Sequence, residues 1–293
     1  MKKISISVII LMTLLFSGCS QLGAFDETKI EKPINNYPVT IYNETFSKPA
    51  EKVVSISPAI TEIFFEIGFG DKLVGRSEYC TYPEQAKNIA SVGSPAKVDF
   101  NKIIELKPDL VITQSPIATI DLKTLQDNKI KVLSIPSPKS FYEVMDIYAA
   151  IAKIFKGNND SNEAVEKSIL EFDKKIDEVA DKTYGKSFLY ITSQNGAVAT
   201  DDTLESQVLS IFGDNLASEY KEYTVPTEEI SKMKPEIIFI AKSVDKENLP
   251  EQFEKILSNE ENIIEIDNSI FEKPTTRIAE QIISIDQVLS QKK

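Results

Sequence analysis

The sequence predicts an α/β protein of two similar Rossmann-like lobes with mostly parallel sheets. A single long α-helix joins the lobes, and a cleft lies between them. Three observations carry this. Short β-branched runs alternate with helical segments, as in a parallel sheet covered by helices. The stretch from Phe141 to about Lys182 has no readable strand. The run Ile103-Ile104-Glu105-Leu106-Lys107-Pro108-Asp109-Leu110-Val111-Ile112 lines up without a gap on Ile230-Ser231-Lys232-Met233-Lys234-Pro235-Glu236-Ile237-Ile238-Phe239. Helix–Lys-Pro–strand is also an ordinary way into a sheet. A shorter echo of Glu66–Leu73 in Ser210–Leu216 favours two related lobes.

The elements follow in order. Pro38 to Tyr42 alternates like a strand, and Lys52 to Ile56 is a β-branched run. Pro58, Thr61 and Glu62 open a helix from Ala59 to Ile67, stopped by Gly68 and Gly70. Leu73–Gly75 is a short strand. Phe100 to Leu106 is helical and halts before Pro108. Asp109–Thr113 is a buried-type strand, Leu122–Asn128 a helix and Lys131–Ile135 a strand. One helix covers roughly Phe141 to Phe155. Gly157 to Asp160 breaks it, with Asp160 or Ser161 as the next N-cap. A second runs from about Ser161 to Asp181. Val165, Ile169, Phe172, Ile176 and Val179 recur along it at alternating spacings of four and three, a single helical stripe. Strands then read at Ser187–Thr192, Glu236–Ile240 and Ile263–Ile266. Helices read at Leu204–Phe212, Thr227–Lys232, Gln252–Ser258 and Thr275–Leu289.

Composition excludes several kinds of chemistry. The chain has 293 residues, a net charge of −12 and no histidine. An acidic surface is wrong for a sequence-independent grip on nucleic acid. Without histidine there is no Ser-His-Asp or Cys-His catalysis and no His-ligated zinc or haem. No Gly-x-Ser-x-Gly elbow is present, and Asp201-Asp202 reads as a loop turn. The chain is therefore expected not to be an enzyme and to carry no catalytic cofactor and no resident metal. Of 33 basic residues only Arg76 and Arg277 are arginine, so forked anion clamps are scarce.

Met1-Lys2-Lys3 followed by the apolar run Ile4–Phe16 has the length of a signal peptide and is short for a membrane span. Phe16-Ser17-Gly18-Cys19 resembles the bacterial lipobox, which implies lipidation at Cys19 and an extracytoplasmic, membrane-anchored protein. The other reading is an ordinary secretory signal. With Cys19 acylated, Cys80 is the last thiol and no intrachain disulfide forms; Cys80 reads as a small buried residue. The expected organisation is 1–18 signal peptide, 19–36 tether, 37–140 first lobe, 141–184 helical connector and 185–293 second lobe.

Four motifs sharpen this. Val53-Val54-Ser55-Ile56-Ser57-Pro58-Ala59-Ile60-Thr61-Glu62-Ile63 and Gly70-Asp71-Lys72-Leu73-Val74-Gly75 resemble the opening of the cobalamin and iron-siderophore binding proteins of ABC importers. Tyr79-Cys80-Thr81-Tyr82-Pro83-Glu84 is similar to the Tyr-x-x-Tyr-Pro segment of the cobalamin-type members. Leu106-Lys107-Pro108-Asp109-Leu110-Val111-Ile112 is similar to their Leu-Lys-Pro-Asp-Leu-Val strand. The resemblance implies a monomeric solute-binding protein. It would hold a metal chelate between two rigid lobes and deliver it to an ABC permease. It also implies docking acids at the start of the helix before each Lys-Pro strand. Those positions are Glu228 in the second lobe and Asn101 in the first, an amide in place of a carboxylate. Asp99 or Glu105 stands near enough to substitute, and Asp99 reads equally as an N-cap.

Ligands of such sheets lie outside the carboxyl ends of the strands. This points to Ser57, Pro58, Tyr79, Tyr82, Ser94, Pro95, Gln114, Thr200, Asp201, Phe271 and Arg277. Tyr79 stands where the cobalamin-type resemblance implies a stacking ring, an apt use of an aromatic face against a flat macrocycle. Tyr79 and Phe271 read equally as core packing. Arg277 reads as a contact for an anionic ligand group or as an ion pair with Asp201 or Glu272. The balance leans to a corrinoid over an iron complex. Haem, an oxyanion, or a sensory or adhesion role on the same fold are the alternatives.

Overall fold

A computed structural model gives the fold of residues 36–42, 44–158, 161–180, 185–258 and 260–291. The expected signal peptide, Cys19 and most of the expected tether lie outside the described residues. The chain enters through a hairpin, β1 (Val39–Ile41) antiparallel to β2 (Glu44–Phe46). Val39, Ile41 and Phe46 are buried while Thr40 and Thr45 face out, the alternation of a half-covered pair.

The first sheet uses β3 (Val53–Ser55), β4 (Leu73–Arg76) and β5 (Ala90–Ser91). A small hairpin follows, β6 (Gly93–Ser94) with β7 (Lys97–Val98). Then come β8 (Leu110–Thr113) and β9 (Lys131–Ser134). The sheet order is β5-β4-β3-β8-β9, parallel throughout, with Val53 opposite Leu110. Both faces are covered. Val53, Leu110 and Ile112 join the main core. Val54 and Val111 join a second one with Ile103 of α2 (Phe100–Leu106) and Leu125 of α3 (Thr119–Asp127). A strand buried on both sides reads as an unbroken apolar run, which is why these were legible. Each such side chain contributes about 2 kcal/mol relative to exposure.

The helix after β3, α1 (Pro58–Glu66), starts where its chemistry dictates. The Ser57 hydroxyl accepts from the Ile60 amide at 3.3 Å, and Pro58 occupies the first turn, where its missing N–H costs nothing. Gly68, at φ 82°, ends it in the left-handed region.

The segment expected to connect the lobes contains α4 (Phe141–Lys156) and the 20-residue α5 (Ser161–Ala180), a rod of about 30 Å. The Asp160 alternative for its N-cap, and Asp181, lie outside the described residues. Val165, Phe172 and Val179 are buried and Ile169 and Ile176 half-buried, as the stripe predicts. Phe172 stacks on Phe141 with centroids 3.6 Å apart, fastening α5 to α4. In turn α4 buries Ile147, Tyr148, Ile151 and Phe155, and Phe155 packs edge-on against Phe64 of α1.

The second sheet is β10 (Lys186–Ile191), β11 (Gly213–Asn215), β12 (Ile237–Ala241) and β13 (Ile263–Ile266), in order β11-β10-β12-β13 and again parallel. That is the order β4-β3-β8-β9 of the first sheet, so the sequence repeat is a repeat of topology. Helices α6 (Leu204–Leu209), α7 (Thr227–Ile230), α8 (Ser269–Glu272) and α9 (Ile278–Gln291) complete it.

Several boundaries differ from expectation. The helix read over Leu204–Phe212 ends at Leu209, and a tight turn, Ser210–Phe212, feeds β11. Gly213 enters β11 so close to β10 that a Cβ there would stand 1.8 Å from the Lys186 carbonyl oxygen. Gln252–Ser258 is not a helix but a single turn, Glu251–Phe253, followed by turns. This turn and the turns after it already bury Phe253 and Ile256, and so short a helix has no stability of its own. The last helix starts at Ile278, leaving Thr275, Thr276 and Arg277 in the turn ahead of it.

Candidate functional site

β4 ends at Arg76 and the chain turns through Ser77–Pro83. The Ser77 amide bonds the Ser55 carbonyl at 3.0 Å and the Glu78 amide the Gly93 carbonyl at 2.8 Å. On this base Tyr79 is 57% and Tyr82 46% exposed. Cys80 between them is buried, with Sγ 3.1 Å from the Thr61 hydroxyl, and burial pushes its thiol pKa up. It is a packing residue, as the sequence suggested.

Arg277 reaches this loop from the other end of the chain. Its guanidinium carbon lies 4.2 Å from the Tyr82 ring centre. Its Nη1 donates to Glu62 Oε2 at 3.2 Å, and Nε lies 3.8 Å from Glu280. The partner of Arg277 is therefore the buried Glu62 of α1, not Asp201 or Glu272. Proximity in sequence favoured the latter; the turn before the last helix, bonded to α1 through Thr276 and Arg277, decides otherwise. Burial works against the charge on Arg277, and the Glu62 carboxylate overrides it, so its pKa is raised. Burial also raises the pKa of Glu62, against the pull of Arg277.

One turn on, Glu66 has no cation bonded to it among the described residues. Its Oε2 accepts from the Tyr148 hydroxyl and, at 2.9 Å, from the Thr276 hydroxyl; the Thr276 amide donates to the Tyr148 oxygen at 3.1 Å. Burial raises the Glu66 pKa. This network joins α1, α4 and the turn before α9. Beside it opens a cavity of 250 Å³ lined by Glu66, Tyr82, Phe172, Lys175, Thr276 and Arg277. A second cavity, of 160 Å³, lies at the ends of β3 and β8 between Pro95, Thr113 and Ile117. A larger one, of 320 Å³, opens at the opposite ends of the second sheet, beside Lys186, Glu236 and Asn262. It is distant from every strand carboxyl end, so size alone does not recommend it.

The remaining predicted residues divide by burial. Ser57 is buried, its hydroxyl bonded to Gln114 Oε1. Pro58 is half-buried. Ser94 and Pro95 sit on the β6–β7 hairpin, where Ser94 Oγ accepts from the Lys97 amide at 3.1 Å. Thr200 is fully buried; its hydroxyl donates to Asp202 at 2.8 Å and accepts from the Tyr223 amide. Asp201 lies 3.4 Å from Lys221 and Asp202 3.9 Å from Lys139, a loop turn tied on both sides. Phe271 is packed into the core against Tyr190, centroids 6.1 Å apart, so its ring is not a free face. Glu228 and Asn101 are exposed in the first turns of α7 and α2, matching positions in the two halves. Asp99 is the N-cap of α2, accepting from the Lys102 amide at 3.0 Å, and Glu105 is exposed.

Sequence reasoning missed Glu62, Glu66, Tyr148, Glu205 and Tyr223. The Tyr223 hydroxyl donates to the buried Glu205 carboxylate at 3.0 Å. Glu62 and Glu66 left a signal: two acids one helical turn apart inside an apolar helix. Among the described residues no cluster of three or more His, Cys, Asp or Glu could hold a metal, and no helix is long and apolar enough to cross a membrane.

A profile described as a periplasmic binding protein matches residues 53–262. An uncharacterized ABC transporter substrate-binding lipoprotein, YvrC of Bacillus subtilis (strain 168), is 30% identical over 261 residues, 82% of either chain. A vitamin B12-binding protein of Yersinia pestis (strain Pestoides F) is 27% identical over 205 residues, 67% of this chain and 71% of its own. The crystal structure of a possible iron-binding (periplasmic solute-binding) protein from Staphylococcus epidermidis superposes with a TM-score of 0.70 at 22% identity. The match covers 83% of this chain and 99% of that one.

Proposed function

We propose, from the premise that this chain belongs to the periplasmic binding protein family, that it captures a corrinoid and delivers it to an ABC permease. The observation that carries the ligand class is the pair of exposed rings, Tyr79 and, backed by Arg277, Tyr82, on the loop that leaves the carboxyl end of β4. A planar macrocycle offers such rings a matching face. The cavity of 250 Å³ that Tyr82 and Arg277 help to line opens beside this loop. Arg277 is already paired with Glu62 and stacked on Tyr82, which argues against a polyanionic ferric chelate as the preferred cargo. The name of the Yersinia relative supports the same reading.

In this reading Cys19 carries the lipid, and the protein works as a monomer outside the membrane, without catalysis. Residues 37–140 and 185–293 are the lobes, 141–184 the connector, and Glu228 with Asn101 meets the permease. The name of the Bacillus relative supports the lipid anchor and the permease.

The test is a visible spectrum. The chain from Ser20 onward is incubated with cyanocobalamin, a ferric siderophore or haemin, then desalted. Corrin absorbance co-eluting with protein is the expected result. Iron charge-transfer or Soret absorbance with a colourless cobalamin sample would replace the corrinoid by that ligand. No bound chromophore would sink the chelate reading and favour a sensory or adhesion role.

A further inference from the structure

The chain has only two arginines, and both are spent on one loop. Arg76 closes β4 and is 9% exposed. Its four hydrogen bonds all go to backbone carbonyls. Nε donates to Ala86 at 2.7 Å and Nη1 to Ser77 at 2.9 Å and to Glu78 at 3.3 Å. Nη2 donates to Lys87 at 3.2 Å. Among the described residues its guanidinium makes no ion pair; the ion pairs of arginine belong to Arg277. A buried cation held by carbonyl dipoles alone needs several of them converging, and only a forked planar donor can meet carbonyls arriving from two directions.

The carbonyls come from both stems of the loop. Ser77 and Glu78 lead into Tyr79–Pro83, and Ala86 and Lys87 lead out of it. The guanidinium thus clasps the stems and leaves the tip, with its two exposed tyrosines, as a closed turn. Arg277 meets the same tip from outside through the Tyr82 face.

We propose that Arg76 is the positioning residue of this aromatic platform. It fixes the 77–87 loop so that Tyr79 and Tyr82 stand preformed before any ligand arrives. Preformation lowers the ordering cost of binding. That this platform meets cargo rests on the function proposed above; that Arg76 holds it does not.

The experiment compares full-length wild type with R76K, which keeps the charge but offers its donors from a single point. Amide hydrogen exchange is read over residues 77–87 and over Leu110–Thr113, and cyanocobalamin affinity is read by equilibrium dialysis. The expected result is exchange about tenfold faster over 77–87 with Leu110–Thr113 unchanged, and affinity about tenfold weaker. Wild-type exchange over 77–87 in R76K overturns the proposal, as does an even rise across both regions or global unfolding, because the clasp acts locally. Equal cyanocobalamin affinity in the two proteins also overturns it. If wild type itself does not bind cyanocobalamin, the corrinoid reading fails by itself and the exchange comparison still decides the role of Arg76.

Discussion

Arg277 and Glu62 join the turn ahead of the last helix to the first helix: Nη1 to Oε2 at 3.2 Å, with the Glu62 side chain only 3% exposed. They lie at opposite ends of the chain, yet the same guanidinium also covers Tyr82. Beside them Glu66, Tyr148 and Thr276 extend the contact through α4. The two halves of the fold are thus bonded through polar groups next to the candidate cleft.

Removing the cation should cost more than removing the pair. R277M leaves a buried carboxylate unpaired and should lose about 3 kcal/mol of unfolding free energy. E62Q should lose less, and E62Q/R277M should regain part of the loss. Urea unfolding of the three variants measures this. An R277M midpoint equal to wild type would show that the pair contributes nothing.

Stability should depend on pH through the buried acids. Burial raises Glu62, Glu66 and Glu205 above their ordinary value of 4.5. Each holds its proton more tightly folded than unfolded. The stabilisation this brings is complete below about pH 4.5 and lost as pH rises through the folded values. Asp202 and Asp267 run the other way. Hydrogen bonds from the Thr200 and Ser269 side chains lower them, and their contribution, present above the unfolded value of 3.8, is lost as pH falls through the folded values. The thermal midpoint should therefore be higher near pH 5 than near pH 7.5, and E66Q should flatten that slope. Identical slopes in wild type and E66Q would remove Glu66 from this account.

Tyr79→Ala should weaken cargo binding about tenfold, the worth of one good aromatic contact. Because the ring is 57% exposed, the unfolding midpoint should not move. Titration of cyanocobalamin into both proteins checks it. Unchanged affinity would return Tyr79 to the status of a surface residue.

Glu228→Lys should separate capture from delivery. The side chain is exposed on α7. Reversing its charge should leave cargo affinity intact and cut transport about tenfold by repelling a basic permease surface. Uptake of labelled cargo by cells carrying the variant reads the effect. Normal uptake would end the docking role.

Much of the architecture was legible. Val53–Ser55, Leu110–Thr113 and Ile237–Ala241 are buried on both faces, so their sequences carry the strand signal by themselves. The stripe on α5 was equally plain. Gly213–Asn215 was missed because an edge strand needs no apolar run. Asn215 holds its place instead with side-chain bonds to Ala199 and Ser206. For the candidate site, motif and rarity pointed to Tyr79, Tyr82 and Arg277, which the fold brings to one loop. Thr200, expected to line the cleft, is buried, and Phe271 follows the core-packing alternative of its two readings.

The sequence by itself determined the α/β class, the duplicated strand–helix units, the caps of α1 and α2 and the loop that carries the tyrosines. All of these rest on contacts between residues close in the chain, or on burial patterns repeated along it. Only the tertiary structure decided that Arg277 pairs with Glu62, that Glu66 meets Tyr148 and Thr276, and that Arg76 closes on Ala86 and Lys87. Such pairings depend on which surfaces pack together in three dimensions, and the periodicity of a single segment does not encode its distant partner.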